Sequence, residues 1–207
     1  MRNWMLYTPL AIFLGVSIFL FTGLFSDPWT RDSALLNRPL PEFDLPDLME
    51  PERRWNRELL TGEPFLLSVW GVWCPTCKAQ LAYMEQLKEQ GVKVVGLYYP
   101  LPVDPAFGEH FSLGQLQRDV RQQLQQFGNP YQFNILDENR RMSMDLGVSG
   151  SPETFLVDTE GRIRMHHVGD INPRVWRQKF EPAMEQLQSQ TETLVTQFEA
   201  NQTGVEH

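Results

Sequence analysis

The sequence predicts an α/β sandwich with a mixed sheet, parallel strands first and an antiparallel pair last, behind one apolar N-terminal helix. Three observations predict it. Twenty-one consecutive residues from Met5 to Phe25 carry no charge. Behind them, short continuous apolar runs alternate with segments whose apolar residues recur every three or four positions, the pattern of a βαβ unit. Near the end, two short apolar runs are joined by Thr159-Glu160-Gly161, which reads as a hairpin.

As a helix, the first run would reach roughly 30 Å at about 1.5 Å per residue, the thickness of a hydrocarbon core. It is longer than the apolar core of a cleaved signal, and Thr22-Gly23-Leu24-Phe25-Ser26 is bulky where a cleavage site needs small residues. An uncleaved transmembrane anchor is therefore preferred to a signal peptide. Arg2 and the terminal amine precede the run and Asp27, Arg31 and Asp32 follow it, which places the N-terminus in the cytoplasm and the rest outside. Residues 1–25 are read as cytoplasmic N-terminus and anchor, 26–41 as a Pro-containing linker, 42–188 as the folded domain and 189–207 as a polar tail.

Within the domain, Phe65 to Trp70 (FLLSVW) reads as a strand covered on both faces. Cys77, Leu81, Met84 and Leu87 then recur at helical spacing up to Gly91, a C-terminal glycine. Val92 to Tyr98 is a second buried strand, and the Pro-rich stretch Pro100 to Gly108 is a loop. Ser112 and Gln115 form a capping box ahead of Leu113, Leu116, Val120, Leu124 and Phe127, which face one side of a helix ending at Gly128. Gln132 to Asp137 alternates as a strand; Glu153 to Asp158 and Arg162 to Val168 make the hairpin. Asn172 caps a last helix with Pro173 in its first turn, and Glu181-Pro182 should kink it.

With 26 acidic and 18 basic side chains the formal charge is −8. Such a chain lacks the clustered cations that displace counterions from phosphate, which excludes nucleic acid as a partner. Two cysteines allow one disulfide and rule out a four-thiolate zinc or iron–sulfur site.

Those cysteines sit in Trp73-Cys74-Pro75-Thr76-Cys77, between a buried strand and the first turn of a helix. There Cys74 meets unpaired N–H groups and the positive end of the helix dipole, which stabilise a thiolate. Cys77, one turn on, can close a disulfide with it. Two plainer readings stand beside a redox pair. A purely structural disulfide across so short a loop removes little chain entropy, and a metal site would have to draw on His110, His166, His167 or His207. Redox chemistry is preferred, with no metal expected. His166 and His167 are strand neighbours that point to opposite faces, so one is expected at the surface and the other half-buried. Trp73 is expected to shape a substrate surface, whereas Trp70 and Tyr83 read as core.

A second constellation is Gly147-Val148-Ser149-Gly150-Ser151-Pro152-Glu153-Thr154-Phe155-Leu156-Val157-Asp158. A proline opening an interior strand needs a reason for its missing N–H, and a cis peptide in a tight turn is one. Trp-Cys-x-x-Cys after a strand, with a small residue and proline opening a later strand, resembles the thioredoxin-like superfamily. That fold is a three-layer sandwich with a mixed sheet, and its proline is cis and faces the cysteines. With Gly128-Asn129-Pro130-Tyr131 and Gly169-Asp170-x-Asn172-Pro173-Arg174-Val175-Trp176 added, the stretch from Ser33 to Leu187 is similar to the membrane-anchored thiol:disulfide interchange proteins of cytochrome c maturation, the DsbE or CcmG type.

The resemblance implies a single-pass inner-membrane protein of a Gram-negative bacterium with its soluble domain in the periplasm. It would reduce the thiols of apocytochrome c, or of a maturation factor, before haem attachment. A transmembrane thiol-reducing donor would re-reduce it, and no cofactor is implied beyond a redox-active Cys74–Cys77 disulfide. By position, Cys74 attacks, Cys77 resolves the mixed disulfide, and Pro152 shapes a substrate groove with Trp73, Pro75, Thr76 and Ser151. Two features depart from the family pattern: Gln80 stands where some members carry a carboxylate, and the loop from Tyr99 to Leu113 is longer than usual. Ser68 occupies the buried strand position where thioredoxins place an aspartate that handles the resolving cysteine's proton. Glu153 is the expected substitute, held near the pair and raising the Cys74 pKa by like-charge repulsion. A general extracytoplasmic thiol oxidoreductase and a non-catalytic docking protein are the other functions weighed.

Overall fold

The computed structural model describes residues 4–24, 35–102, 106 and 110–189. The expected tail after Ser189, the expected linker before Leu35 and parts of the loop from Tyr99 to Leu113 lie outside the described residues. The chain divides into two compact units, residues 1–31 and 32–207.

The first unit contains helix α1 (Trp4–Leu24), twenty-one residues without a charged side chain. Its described large apolar side chains from Leu10 to Phe21 are more than half exposed. Among the described residues no helix is long and apolar enough to cross a membrane; in α1, side chains are described only at Tyr7 and at 9–21. The transmembrane reading of residues 1–25 therefore rests on the sequence.

In the second unit, β1 (Asp44–Pro46) and β2 (Arg54–Asn56) form a short antiparallel pair. There follow β3 (Phe65–Trp70), α2 (Pro75–Glu89), β4 (Val94–Tyr98), α3 (Leu113–Phe127) and β5 (Phe133–Leu136). Then come α4 (Arg141–Asp145), β6 (Glu153–Val157), β7 (Ile163–Val168) and α5 (Pro173–Val175), with helix continuing through 181–189. The main sheet has the order β5-β4-β3-β6-β7: β3, β4 and β5 run parallel, β6 runs antiparallel to β3, and β7 runs antiparallel to β6. This is the expected mixed sheet.

The apolar run of β3 is unbroken because both its faces are covered. Leu66 and Trp70 belong to one core, Phe65, Leu67 and Val69 to the other. Right-handed crossovers taken twice in the same direction put α2 and α3 on one face. There Cys77, Leu81, Met84, Val120 and Leu124 pack with Trp176 and Phe180 from the C-terminal helix. The opposite face is closed by Leu40, Trp55, Leu60, Met142 and Leu146.

Several local details differ from the sequence reading. Ser112 Oγ accepts from the Gln115 N–H at 3.4 Å, but the Gln115 side chain donates onward to Asp119 at 2.7 Å, so only half of the capping box forms. The discontinuity expected at Glu181-Pro182 lies earlier, as a wide turn over Trp176–Phe180 closed by the Glu181 N–H on Trp176 O. Pro182 has no N–H for Gln178 O, and a π-type turn just ahead of it absorbs the mismatch. Residues 37–40, assigned by composition to the linker, are bonded to the hairpin: the Asn37 N–H reaches Ile163 O at 2.7 Å and the Leu40 N–H reaches Gly161 O at 2.8 Å.

Candidate active site

β3 delivers the chain to the site and α2 receives it. After Trp70 the backbone turns, the Cys74 N–H bonding to Gly71 O at 3.1 Å. Cys74 is then the extended N-cap of α2, with Pro75 at the first helical position, where its missing N–H is no loss. Cys74 Sγ accepts from the Cys77 N–H at 3.0 Å. A side-chain acceptor at that position satisfies one of the free donors of the first turn, and the same N–H would stabilise a thiolate there. Cys74 and Cys77 form a disulfide with their Cα atoms 5.2 Å apart. Cys74 is 4% exposed and Cys77 0%, so the outer sulfur is that of Cys74. Pro75 and Thr76 lie exposed beside it.

The loop before β6 faces this corner. The Ser151–Pro152 peptide is cis, and Ser151 O lies 3.4 Å from Cys74 Sγ, within reach of a thiol S–H in the reduced pair. Tyr99, buried at the end of β4, ties the two sides together. Its backbone oxygen accepts from Trp73 Nε1 at 3.1 Å, its hydroxyl lies 3.3 Å from Ser151 Oγ, and the Arg140 guanidinium sits 4.4 Å from its ring centre. Sequence reasoning passed over Tyr99; its signal was an aromatic directly following a fully buried strand. The fold thus brings Trp73, Cys74, Cys77, Ser151 and Pro152 together, with Pro75 and Thr76 on the rim.

Glu153 does not join them. It pairs with Val69 in register and shares its side of β6 with Phe155 and Val157, the sheet face opposite α2. Its carboxylate is fully buried and fully engaged. Oε1 accepts from Ser149 N at 2.8 Å, Ser149 Oγ at 2.6 Å and Gly150 N at 2.9 Å, while Oε2 lies 2.7 Å from His166 Nε2. Burial alone would raise its pKa, yet the hydrogen bonds from His166 and Ser149 outweigh burial and hold the carboxyl below its ordinary value. The expectation of a repelling charge beside the cysteines is therefore corrected: strand alternation turns the carboxylate away, and it grips the loop that carries Ser151. His166, expected at the surface or half-buried, has an 8% exposed side chain held by Glu153 and stacked on Phe155 at 4.3 Å. His167 faces the other way and is 6% exposed. Neither histidine is at the surface.

Helix-capped vicinal sulfurs under a cis-proline loop, on a mixed sheet of this order, define a thioredoxin-like thiol–disulfide oxidoreductase. The chain belongs to the Redoxin family, whose model matches residues 36–186. Among its relatives are the proteins named thiol:disulfide interchange protein DsbE of Vibrio cholerae and Escherichia coli. The first is 39% identical over 90% of this chain and 97% of its own; the second is 39% identical over 89% and 96%. The DsbE of Pseudomonas aeruginosa is 38% identical over 93% and 99%. Solved structures share the fold: a secreted thiol-disulfide isomerase from Corynebacterium glutamicum has a TM-score of 0.53 at 18% identity, over 74% of this chain and 92% of that one. A thio-disulfide isomerase from Thermus thermophilus gives 0.51 at 21% identity, over 69% and 92%.

Proposed function

We propose that this chain is a membrane-anchored reductant facing the periplasm, which keeps the thiols of apocytochrome c, or of a maturation partner, reduced until haem is attached. The observation that carries the reading is the Cys74–Cys77 pair at the start of α2, with its outer sulfur against Ser151 O. The DsbE names of relatives along nearly the whole chain support it. In the reduced protein, the Cys74 thiolate attacks a substrate disulfide and forms a mixed disulfide. The Cys77 thiol gives up its proton and attacks Cys74 Sγ, so the substrate leaves with two thiols and the protein keeps the disulfide. Trp73, Pro75, Thr76, Ser151 and Pro152 form the surface on which the substrate strand lies. The two sulfurs carry both electrons, so the exchange needs no further cofactor. Outside the cytoplasm a pair that works as a reductant must be recharged, which calls for a transmembrane thiol donor. The uncharged twenty-one-residue α1 serves as the anchor.

The test is a trap. Cys77→Ala removes the resolving thiol, so in cells making cytochrome c the variant accumulates a reducible mixed disulfide with apocytochrome or a maturation factor through Cys74. No adduct under those conditions would count against the redox role, and an adduct with unrelated envelope proteins would point to a general oxidoreductase.

A further inference from the structure

The sheet face beneath α2 carries buried polar groups that the chemistry above does not use. Ser68 on β3 is paired in register with Thr154 on β6, and Thr154 with His167 on β7. All three lie on the face of Leu66, Trp70 and Leu156, which α2 covers with Cys77 and Leu81. Two more groups flank this row. Gln80, one turn after Cys77, accepts from the Ile171 N–H at 2.9 Å. Tyr131 stacks on Trp70 at 4.7 Å with its hydroxyl toward Ser68. Among the described residues, Ser68 Oγ, Thr154 Oγ1, His167 Nδ1, Gln80 Nε2 and Tyr131 OH make no hydrogen bond of good geometry, the Tyr131 and Ser68 hydroxyls only approaching one another; they are five of the seven such buried side-chain atoms. An unmet buried polar group destabilises the fold. Gathering five on one patch is economical only if something satisfies them together, and bridging water, which donates and accepts, is the simplest group that can.

We propose that this row binds ordered water and forms the proton path of Cys77, with His167 as its terminal base. The proposal rests on the dithiol reading of Cys74 and Cys77. Cys77 is fully buried, and neither Gln80 nor Ser68 can take its proton at neutral pH. Hydroxyls and water can pass it on; His167 is the one imidazole in the row and its Nδ1 is unpartnered. During resolution the Cys77 S–H proton moves through water to His167 Nδ1. The Cys77 sulfur then bonds to Cys74 Sγ, the bond between Cys74 and the substrate sulfur breaks, and the substrate thiolate takes a proton from solvent. Burial and Lys179 keep His167 in the neutral, accepting form, with Asp170 opposing them and His166 adding slightly. Among the described residues the charged and titratable groups facing it are Lys179 from the C-terminal helix, Asp170 from the next turn and His166 from its own strand. α2 brings the neutral Gln80, and Phe180 lies edge-on at 6.0 Å.

The two sulfurs can be timed separately. The reduced full-length protein in detergent micelles is mixed with one equivalent of 5,5′-dithiobis(2-nitrobenzoate). The first nitrothiobenzoate released reports attack by Cys74 and the second reports resolution by Cys77. In the wild-type protein the second phase slows in acid with an inflection below the ordinary histidine range. In His167→Gln that inflection disappears and the second phase slows by about tenfold or more, while the first phase keeps its rate. Thr154→Val, which removes the middle hydroxyl at nearly constant volume, slows the second phase alone and covers the case in which His167→Gln does not fold. Adding Ser68→Asp to the histidine variant supplies another base in the row and restores the rate. A second phase with the wild-type rate and pH profile in folded His167→Gln would overturn the relay. Absence of the first phase in the wild-type protein would instead overturn the dithiol reading on which it rests.

Discussion

Glu153→Gln distinguishes a carboxylate that tunes the cysteines from one that holds a loop. Three donors converge on Oε1, and His166 meets Oε2. Gln keeps one acceptor oxygen but loses the charge, and hydrogen bonds to a charged acceptor contribute about 0.5–1 kcal/mol more each than neutral ones. Over three donors that is about 2 kcal/mol. The new amide N–H group facing His166 needs the other tautomer, which takes the loss to about 2–3 kcal/mol, or about 5–10 °C in melting temperature for a domain of this size. Folding lowers the Glu153 pKa, so the carboxylate's contribution is complete above the ordinary carboxylate range and vanishes as pH falls through the lowered folded value. The gap between wild type and variant should therefore be widest at neutral pH and close in acid. Urea unfolding of the oxidised proteins at both conditions measures it. Equal stability at neutral pH, together with a lowered Cys74 pKa and a raised reduction potential, would refute the loop-holding role and restore direct tuning.

Two further outcomes follow from the geometry. Alkylation of the reduced protein at neutral pH, read by peptide mapping, should label Cys74 before Cys77, because Cys74 is the more exposed and sits at the helix start; the reverse order would exchange their roles. Gly96→Ala should cost about 3 kcal/mol, since the added Cβ would overlap Asn134 Oδ1 and come within 2.8 Å of Trp70 Nε1, between the partners of a buried 2.9 Å hydrogen bond. It is read as a lower urea midpoint at constant slope, and an unchanged midpoint would mean the sheet opens to admit the methyl group.

The elements legible in the sequence were those long enough to show a period or marked by punctuation. β3, α2, β4, α3 and the β6–β7 hairpin all fall where apolar spacing and glycines place them, and Asn172 Oδ1 caps the last helix through the N–H groups of Arg174 and Val175. β1 and β2 have three residues each, too few for alternation to show. α4 is also short, and it is set by buried Asp137, whose carboxylate accepts from Met142 N, Ser143 N and Ser143 Oγ. No local pattern announces a tertiary anchor of that kind. The cysteine corner was legible because helix N-terminus, vicinal thiols and a strand-opening proline are each local signals. Glu153, which the family resemblance and the missing aspartate at Ser68 place near the cysteines, lies elsewhere because strand alternation sends its side chain through to the other face.

That alternation depends on one irregularity. The β6–β7 ladder shifts register between Leu156 and Val157: Val157 pairs with Ile163, whereas Leu156 pairs with Met165 and Phe155 with His166. Arg164 is the extra residue, and it is tied down by Asp158 Oδ2 at 2.6 Å and Asn37 Oδ1 at 2.7 Å. Without the bulge, continuing the ladder from Val157 would set His166 opposite Thr154 and His167 opposite Glu153, because a one-residue slip exchanges the two faces of a strand. His166 would then face α2 beside the buried hydroxyls, and His167 would meet the carboxylate that holds the Ser151 loop. The bulge at Arg164, held by Asp158 at the turn end of the hairpin, thus sets which histidine supports the cis-proline loop and which faces the side of the sheet that α2 covers. It also explains why the segment from Asn37 to Leu40 is bonded to the hairpin rather than left as free tether: its bonds to Ile163 and Gly161, and the Asn37 side chain on Arg164, brace the bulge from the outer edge of the sheet.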